Sequence, residues 1–162
     1  LAIRYSVQVP EGLAHIPLVA ERFIALAAPA LAGTDFTEEG TLLETRWQQP
    51  VLGDVSWKDW FAAAGLPPPD ESRLVTFDEE LYVLQAAIAG RGVVLASSVL
   101  AADFIARGLL QPVREDVALP GAGYRALALP GTVDNRKIQA FLDWLQDSFS
   151  GTPASQQAGT PG

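Results

Sequence analysis

Cysteine is absent, so disulfides, thiolate nucleophiles and cysteine-ligated metal sites are excluded. A reducing compartment is permitted, and the cytoplasm is the expected location. His15 is the single histidine, which removes any two-histidine metal site and leaves one possible base for a serine nucleophile. A histidine in a surface loop is the simpler expectation. Long apolar runs are missing too: Glu21, Arg22, Glu44 and Arg46 interrupt the richest stretches, none of which approaches the roughly 20 residues that cross a bilayer. The chain is therefore expected in water, with no membrane partner. Positive charge is scarce, 11 Lys and Arg against 19 Asp and Glu for a net charge of -8, and no basic stripe is interleaved with aromatics. These residues should not bind nucleic acid themselves. Leu1-Ala2-Ile3-Arg4-Tyr5 has neither an initiator Met nor the pattern of a secretion signal, so the observed start reads as artificial or internal.

What remains is a chain of 162 residues, 49% hydrophobic and 19% charged, suited to one globular domain or two small lobes. Leu1 to Tyr5 reads as a short buried strand and Ile16 to Ala27 as a longer one, with Pro10, Gly12 and Pro17 marking the loop between them. Thr41 to Arg46 is a further strand, ended by Pro50 and Gly53. Ser56 is placed to cap a helix over Trp57 to Ala64, which Gly65 and Pro67-Pro68-Pro69 stop. Arg73 to Phe77, Asp78 to Ala89, Gly92 to Ala96 and Ser97 to Arg107 then alternate strand, helix, strand, helix. Leu81, Leu84 and Ile88 share one helix face, as do Leu100, Ala101, Phe104 and Ile105 in the next. Such alternation favours parallel strands joined by crossover helices, hence an α/β class. Tyr124 to Leu129 is a strand. Asp134 to Phe149 is a helix capped by Asp134, with Ile138, Phe141, Leu142, Leu145 and Phe149 as its buried stripe. The segment from 150 to 162 has no large apolar side chain and is expected to be a disordered tail.

Catalytic signals are weak throughout. No serine lies in a Gly-x-Ser-x-Gly setting, and Ser97-Ser98 reads as a helix cap. Asp78, Glu79 and Glu80 could be paired acid–base groups, yet acids in a first helical turn follow from the helix dipole alone. Gly90-Arg91-Gly92 precedes a strand, whereas a phosphate-binding loop follows a strand and opens a helix. Trp57, Trp60 and Phe61 lie on one side of a short helix and should pack in the core. No anchor for a cofactor or metal is readable, and no enzyme activity is expected.

Several segments together resemble the effector-binding domain of LysR-type transcriptional regulators, in the branch of the glycine-cleavage activators. Leu1-Ala2-Ile3-Arg4-Tyr5 is similar to a family strand, though Ser6 stands where Gly is usual. Glu21-Arg22-Phe23-Ile24-Ala25-Leu26-Ala27-Ala28-Pro29-Ala30-Leu31 follows the family's crossing segment, with Ala27 in place of a frequent cysteine. Trp57-Lys58-Asp59-Trp60-Phe61-Ala62-Ala63-Ala64-Gly65, the run from Leu84 to Leu95, and Ala140-Phe141-Leu142-Asp143-Trp144-Leu145 complete the match over residues 1 to about 149. Their order and spacing carry more than any one of them.

The resemblance implies an α/β fold of the periplasmic-binding-protein type II kind, two lobes joined by two crossing strands, with a small effector held between them. Residues 24–124 would form one nearly whole lobe, and 1–22 with 126–149 part of the other. It further implies effector contacts from Arg4, Tyr5 and Ser6 on one wall and from Thr76, Phe77 and Asp78 opposite, with Tyr124 near the returning crossing. DNA would be read only by a helix-turn-helix module absent from these residues, in a homodimer or homotetramer. Because acids crowd one wall and Arg4 stands on the other, the expected effector is amino-acid-like rather than a dianion. The bland alternative pairs Arg4 with an acid and turns Asp78, Glu79 and Glu80 to solvent. With the first lobe incomplete, these 162 residues should bind effector poorly. A periplasmic solute-binding protein shares the fold and is the competing reading, distinguished by a secretion signal upstream in place of a helix-turn-helix.

Overall fold

A computed structural model describes residues 1–6, 8, 11–47 and 55–150. Pro10, Pro50, Gly53 and the tail after Ser150 lie outside the described residues. The elements are β1 (Ala2–Ser6), β2 (Ala14–Ala27), β3 (Leu42–Thr45), α1 (Trp57–Ala63), β4 (Leu74–Phe77), α2 (Glu80–Ile88), β5 (Val93–Ser97), α3 (Ala102–Ala106), β6 (Gln111–Pro112), β7 (Ala118–Ala128) and α4 (Arg136–Ser150). The chain divides into two compact units, residues 1–21 with 121 onward, and residues 22–120. β2 and β7 each pass from one unit into the other.

The unit of residues 22–120 has the strand order β2-β5-β3-β4, with β6 also paired to β2. β3 runs parallel to β4, from Leu42 opposite Leu74 to Thr45 opposite Phe77, and parallel to β5. β2 pairs with β5 antiparallel, Phe23 opposite Ser97. Parallel pairing thus holds where helices connect the strands. β2 belongs to no strand-helix-strand crossover, so nothing constrains it to run with its neighbour. The crossover from β3 through α1 to β4 moves outward, and that from β4 through α2 to β5 moves back across β3. Crossovers of one hand that move in opposite directions place their helices on opposite faces.

The core shows that division. Phe23, Ala25 and Ala27 of β2, Leu42 of β3 and Val93 and Leu95 of β5 pack with Trp57, Trp60 and Phe61 of α1. Leu26, Leu43, Val94 and Ala96 pack with Val83, Leu84 and Ala87 of α2. Successive residues alternate between the two clusters, as the period of two in a pleated strand requires. Trp57 also donates its indole N–H to the Leu43 carbonyl at 2.9 Å. Ser56 caps α1 by accepting the Asp59 amide, and Gly65 ends it at φ +69°. The Arg73 guanidinium donates to the carbonyls of Phe36, Thr37, Glu39 and Gly40, tying the loop after β2 to the start of β4.

Several expectations are corrected. Leu81 is exposed, because the inward face of α2 is set by Glu80, Val83, Leu84 and Ala87. Residues 98–101 form a turn after β5, closed by the Ala101 amide on the Ser97 carbonyl, so α3 starts only at Ala102 and Leu100 is exposed. Ser97 accepts the Leu100 amide and caps that turn, whereas Ser98 bonds β2 at Arg22. Pro17 lies inside β2 rather than in a loop, and exposed His15 lies there too. β7 begins at Ala118, six residues before Tyr124; Pro120, Gly121 and Gly123 look like breakers in sequence, but the strand continues through them.

In the unit of residues 1–21 and 121 onward, β7 stands between β1 and β2 in strand order. Val19, Ala122, Ala126, Leu127 and Ala128 are buried, along with Leu142 and Leu145 of α4. β1 is not buried as expected: Leu1 and Ile3 are exposed. Phe141 departs from the expected stripe of α4, being exposed and stacked on Trp144 at 5.8 Å. The cap of α4 is Asn135, whose side chain accepts the Lys137 amide at 2.9 Å, rather than Asp134.

Candidate functional site

Antiparallel pairing of β1 with β7 brings together four of the seven residues singled out from sequence, with one more. Tyr5 is the cross-strand partner of Tyr124, Arg4 of Arg125 and Ser6 of Gly123. Directly opposed residues share a face and neighbours along a strand alternate, so one face carries Tyr5 and Tyr124 and the other Arg4, Arg125 and Ser6. The tyrosine rings meet at 4.9 Å with a 57° tilt. The Tyr5 hydroxyl accepts the Ala122 amide at 3.0 Å. Burial pushes its phenol well above the ordinary tyrosine range, and a hydrogen bond to the buried Glu21 carboxylate pushes the same way against the opposing effect of the Ala122 amide. Glu21 was legible only as a charge interrupting an apolar run.

On the opposite face the polar groups are less satisfied. The Ser6 hydroxyl and the Arg125 Nε are buried without a hydrogen-bond partner among the described residues. A Cβ at Gly123 would make ordinary van der Waals contacts, 3.5 Å from the Val19 carbonyl oxygen and 3.9 and 4.0 Å from the Arg125 Nε and Nη2. Sequence reasoning missed Arg125 as a candidate, because nothing local marks which residue of β7 will stand opposite Arg4.

Thr76 and Phe77 end β4 in the other unit, and Asp78 follows them just before α2. The Phe77 carbonyl accepts the Arg46 amide at 2.7 Å, and the Arg46 side chain reaches Asp78 at 3.4 Å. Both members of that pair are about two-thirds exposed, so it adds little stability. Helix α2 begins at Glu80, not Asp78, and its N-cap Glu79 makes no side-chain capping bond. The three acids therefore behave differently, and the expectation that all could face solvent is corrected. Asp78 and Glu79 are exposed, but Glu80 is buried and accepts the Ser97 amide at 2.7 Å, joining the start of α2 to the end of β5. A carboxylate taken from water needs such a donor.

The family described as the LysR substrate binding domain matches residues 1–150. An uncharacterised HTH-type transcriptional regulator of Sinorhizobium fredii is 33% identical over 138 residues, 83% of this chain and 45% of that protein. A glycine cleavage system transcriptional activator homolog of Haemophilus influenzae is 36% identical over 153 residues, 92% of this chain and 50% of that protein. The chain thus spans about half the length of these curated relatives. Among solved structures, the effector domain of the transcriptional regulator AmpR of Pseudomonas aeruginosa is similar with a TM-score of 0.63 at 25% identity, covering 91% of this chain and 71% of that one.

Proposed function

Because the chain belongs to the LysR substrate-binding domain family, we propose that it is the effector-sensing part of a LysR-type transcriptional regulator, which reads DNA through a module outside these residues. The carrying observation is the family match over residues 1–150, supported by relatives that are transcriptional regulators rather than periplasmic solute-binding proteins. In this reading the domain senses and does not catalyse. Residues 1–22 with 126–149 are assigned to one lobe and 24–124 to the other. An effector acts by binding two states of the regulator with different affinity, since equal affinity shifts nothing. The regulator is cytoplasmic and assembles as a homodimer or homotetramer.

Effector contacts are assigned to Arg4, Tyr5, Ser6 and Tyr124, which β1 and β7 bring together, and to Thr76, Phe77 and Asp78 at the end of β4. Tyr5, Ser6, Thr76 and Phe77 lie at or next to strand ends and Asp78 in the turn that follows, where α/β folds gather ligands, whereas Arg4 and Tyr124 lie within β1 and β7. The mixture of a cation, two phenols and a carboxylate suits a small zwitterion such as an amino acid better than a dicarboxylate. Isothermal titration of the complete domain with amino acids and dicarboxylates tests this. An amino acid should bind, and Arg4→Ala should weaken it about tenfold. Tight dicarboxylate binding that survives Arg4→Ala would overturn it.

A further inference from the structure

We propose that Arg4 and Arg125, with the Ser6 hydroxyl beside them, form a subsite for the carboxylate of a small ligand. The starting point is an electrostatic conflict. Arg4 and Arg125 are cross-strand partners on one face of β1 and β7. Residues so opposed have Cβ atoms about 5 Å apart, and like charges in that position destabilise the pair. Among the described residues neither guanidinium has a carboxylate within ion-pair distance, although the chain carries 19 acids. No acid among the described residues resolves that conflict, and an anion between the two cations resolves it.

The groups around the pair favour the same occupant. Arg125 Nε and Ser6 Oγ are buried donors with no partner, and each such group costs free energy until it is paired. Ser6 stands opposite Gly123, the residue next to Arg125 in β7, so hydroxyl and guanidinium flank one side-chain-free position. A carboxylate offers two oxygens with about four lone-pair sites, enough for two guanidinium forks and a hydroxyl. Net charge selects further: at -8, the chain repels multiply charged anions and tolerates a monocarboxylate or a zwitterion. The inference rests on the effector-binding reading for the ligand's wider identity, but its residues all lie in one unit.

The probe is sodium acetate, titrated into the full chain at constant ionic strength and read by the Nε–Hε signals of the two arginines in NMR. Acetamide, of the same shape without the charge, is the control. Acetate should give saturable shifts at both arginines with a millimolar Kd, and acetamide should give none. Arg125→Gln and Arg4→Gln should each raise that Kd at least about tenfold. Arg4 is exposed, so Arg4→Gln is the decisive variant if Arg125→Gln folds poorly. In low-salt buffer Arg4→Gln should raise the thermal midpoint by relieving the repulsion, and acetate should then raise the midpoint of the parent chain only. Shifts that do not saturate, an equal response to acetamide, or unchanged affinity in Arg4→Gln would overturn the subsite. Acetate binding here while no amino acid binds the complete domain would uphold the subsite and remove the amino-acid reading. An amino acid that binds while both arginine variants take acetate like the parent would do the reverse.

Discussion

The two units bury their residues in different ways. The unit of residues 22–120 closes an apolar cluster on each face of its sheet, and several polar groups tie its elements together: Glu80 accepts the Ser97 amide, Arg73 donates to four carbonyls and the Trp57 indole to the Leu43 carbonyl. The unit of residues 1–21 and 121 onward keeps Leu1, Ile3, Leu129, Phe141 and Trp144 exposed, and holds the unpartnered Ser6 and Arg125 groups. Apolar burial is concentrated in the first, while buried side-chain groups without a hydrogen-bond partner among the described residues occur in both: the Thr45 hydroxyl and the Trp60 indole N–H in the first, the Ser6 hydroxyl and the Arg125 Nε in the second.

Paired tryptophan substitutions break that comparison most sharply. Trp60 is fully buried against Phe36, Trp57 and Phe61, so Trp60→Ala should cost about 3–5 kcal/mol in urea unfolding. Trp144 is 60% exposed, and Trp144→Ala should change stability by about 0.5 kcal/mol or less. Similar losses for the two would mean that the units do not differ in packing.

Gly92 probes the fit of the better-packed unit. A Cβ at this residue would stand 2.4 Å from the Thr41 carbonyl oxygen, which accepts the Val93 amide that registers β5 on β3. Gly92→Ala should therefore cost about 1–3 kcal/mol by displacing backbone, measured by the same unfolding curves.

Tyr5 gives a smaller effect than Gly92 and carries a pH signature. Its phenol is protonated in the fold well above the ordinary tyrosine pKa near 10, because burial and the Glu21 bond disfavour the phenolate. The stability it contributes is complete below that value and is lost as pH climbs from the unfolded pKa through the raised native one. Tyr5→Phe should cost about 1 kcal/mol at pH 7 through the lost Ala122 bond, and should flatten the decline in stability above about pH 10. An alkaline decline unchanged by Tyr5→Phe would assign it to other groups.

Much of the fold was legible because strands and helices write their periods locally. The apolar-rich runs of β2 and β5, the Ser56 cap and the stop at Gly65 are all readable within a few residues. Boundaries failed where local rules met tertiary ones. β7 runs through Pro120 and the glycines beside it, and α2 starts at Glu80 because that carboxylate turns inward to a distant amide. Of the candidate site, Arg4, Tyr5, Ser6 and Tyr124 could be named, but their mutual placement depends on a ladder between residues more than a hundred positions apart.

Composition, the absence of cysteine, the alternation of strand with helix and the ordered family segments are properties of the chain itself, and they determined its class and kinship. Which acid is buried, which aromatic stays in water and which arginine meets which were decided only by tertiary structure. Burial and charge pairing depend on neighbours remote in sequence, and a change of one residue in register would turn Arg125 to the opposite face from Arg4.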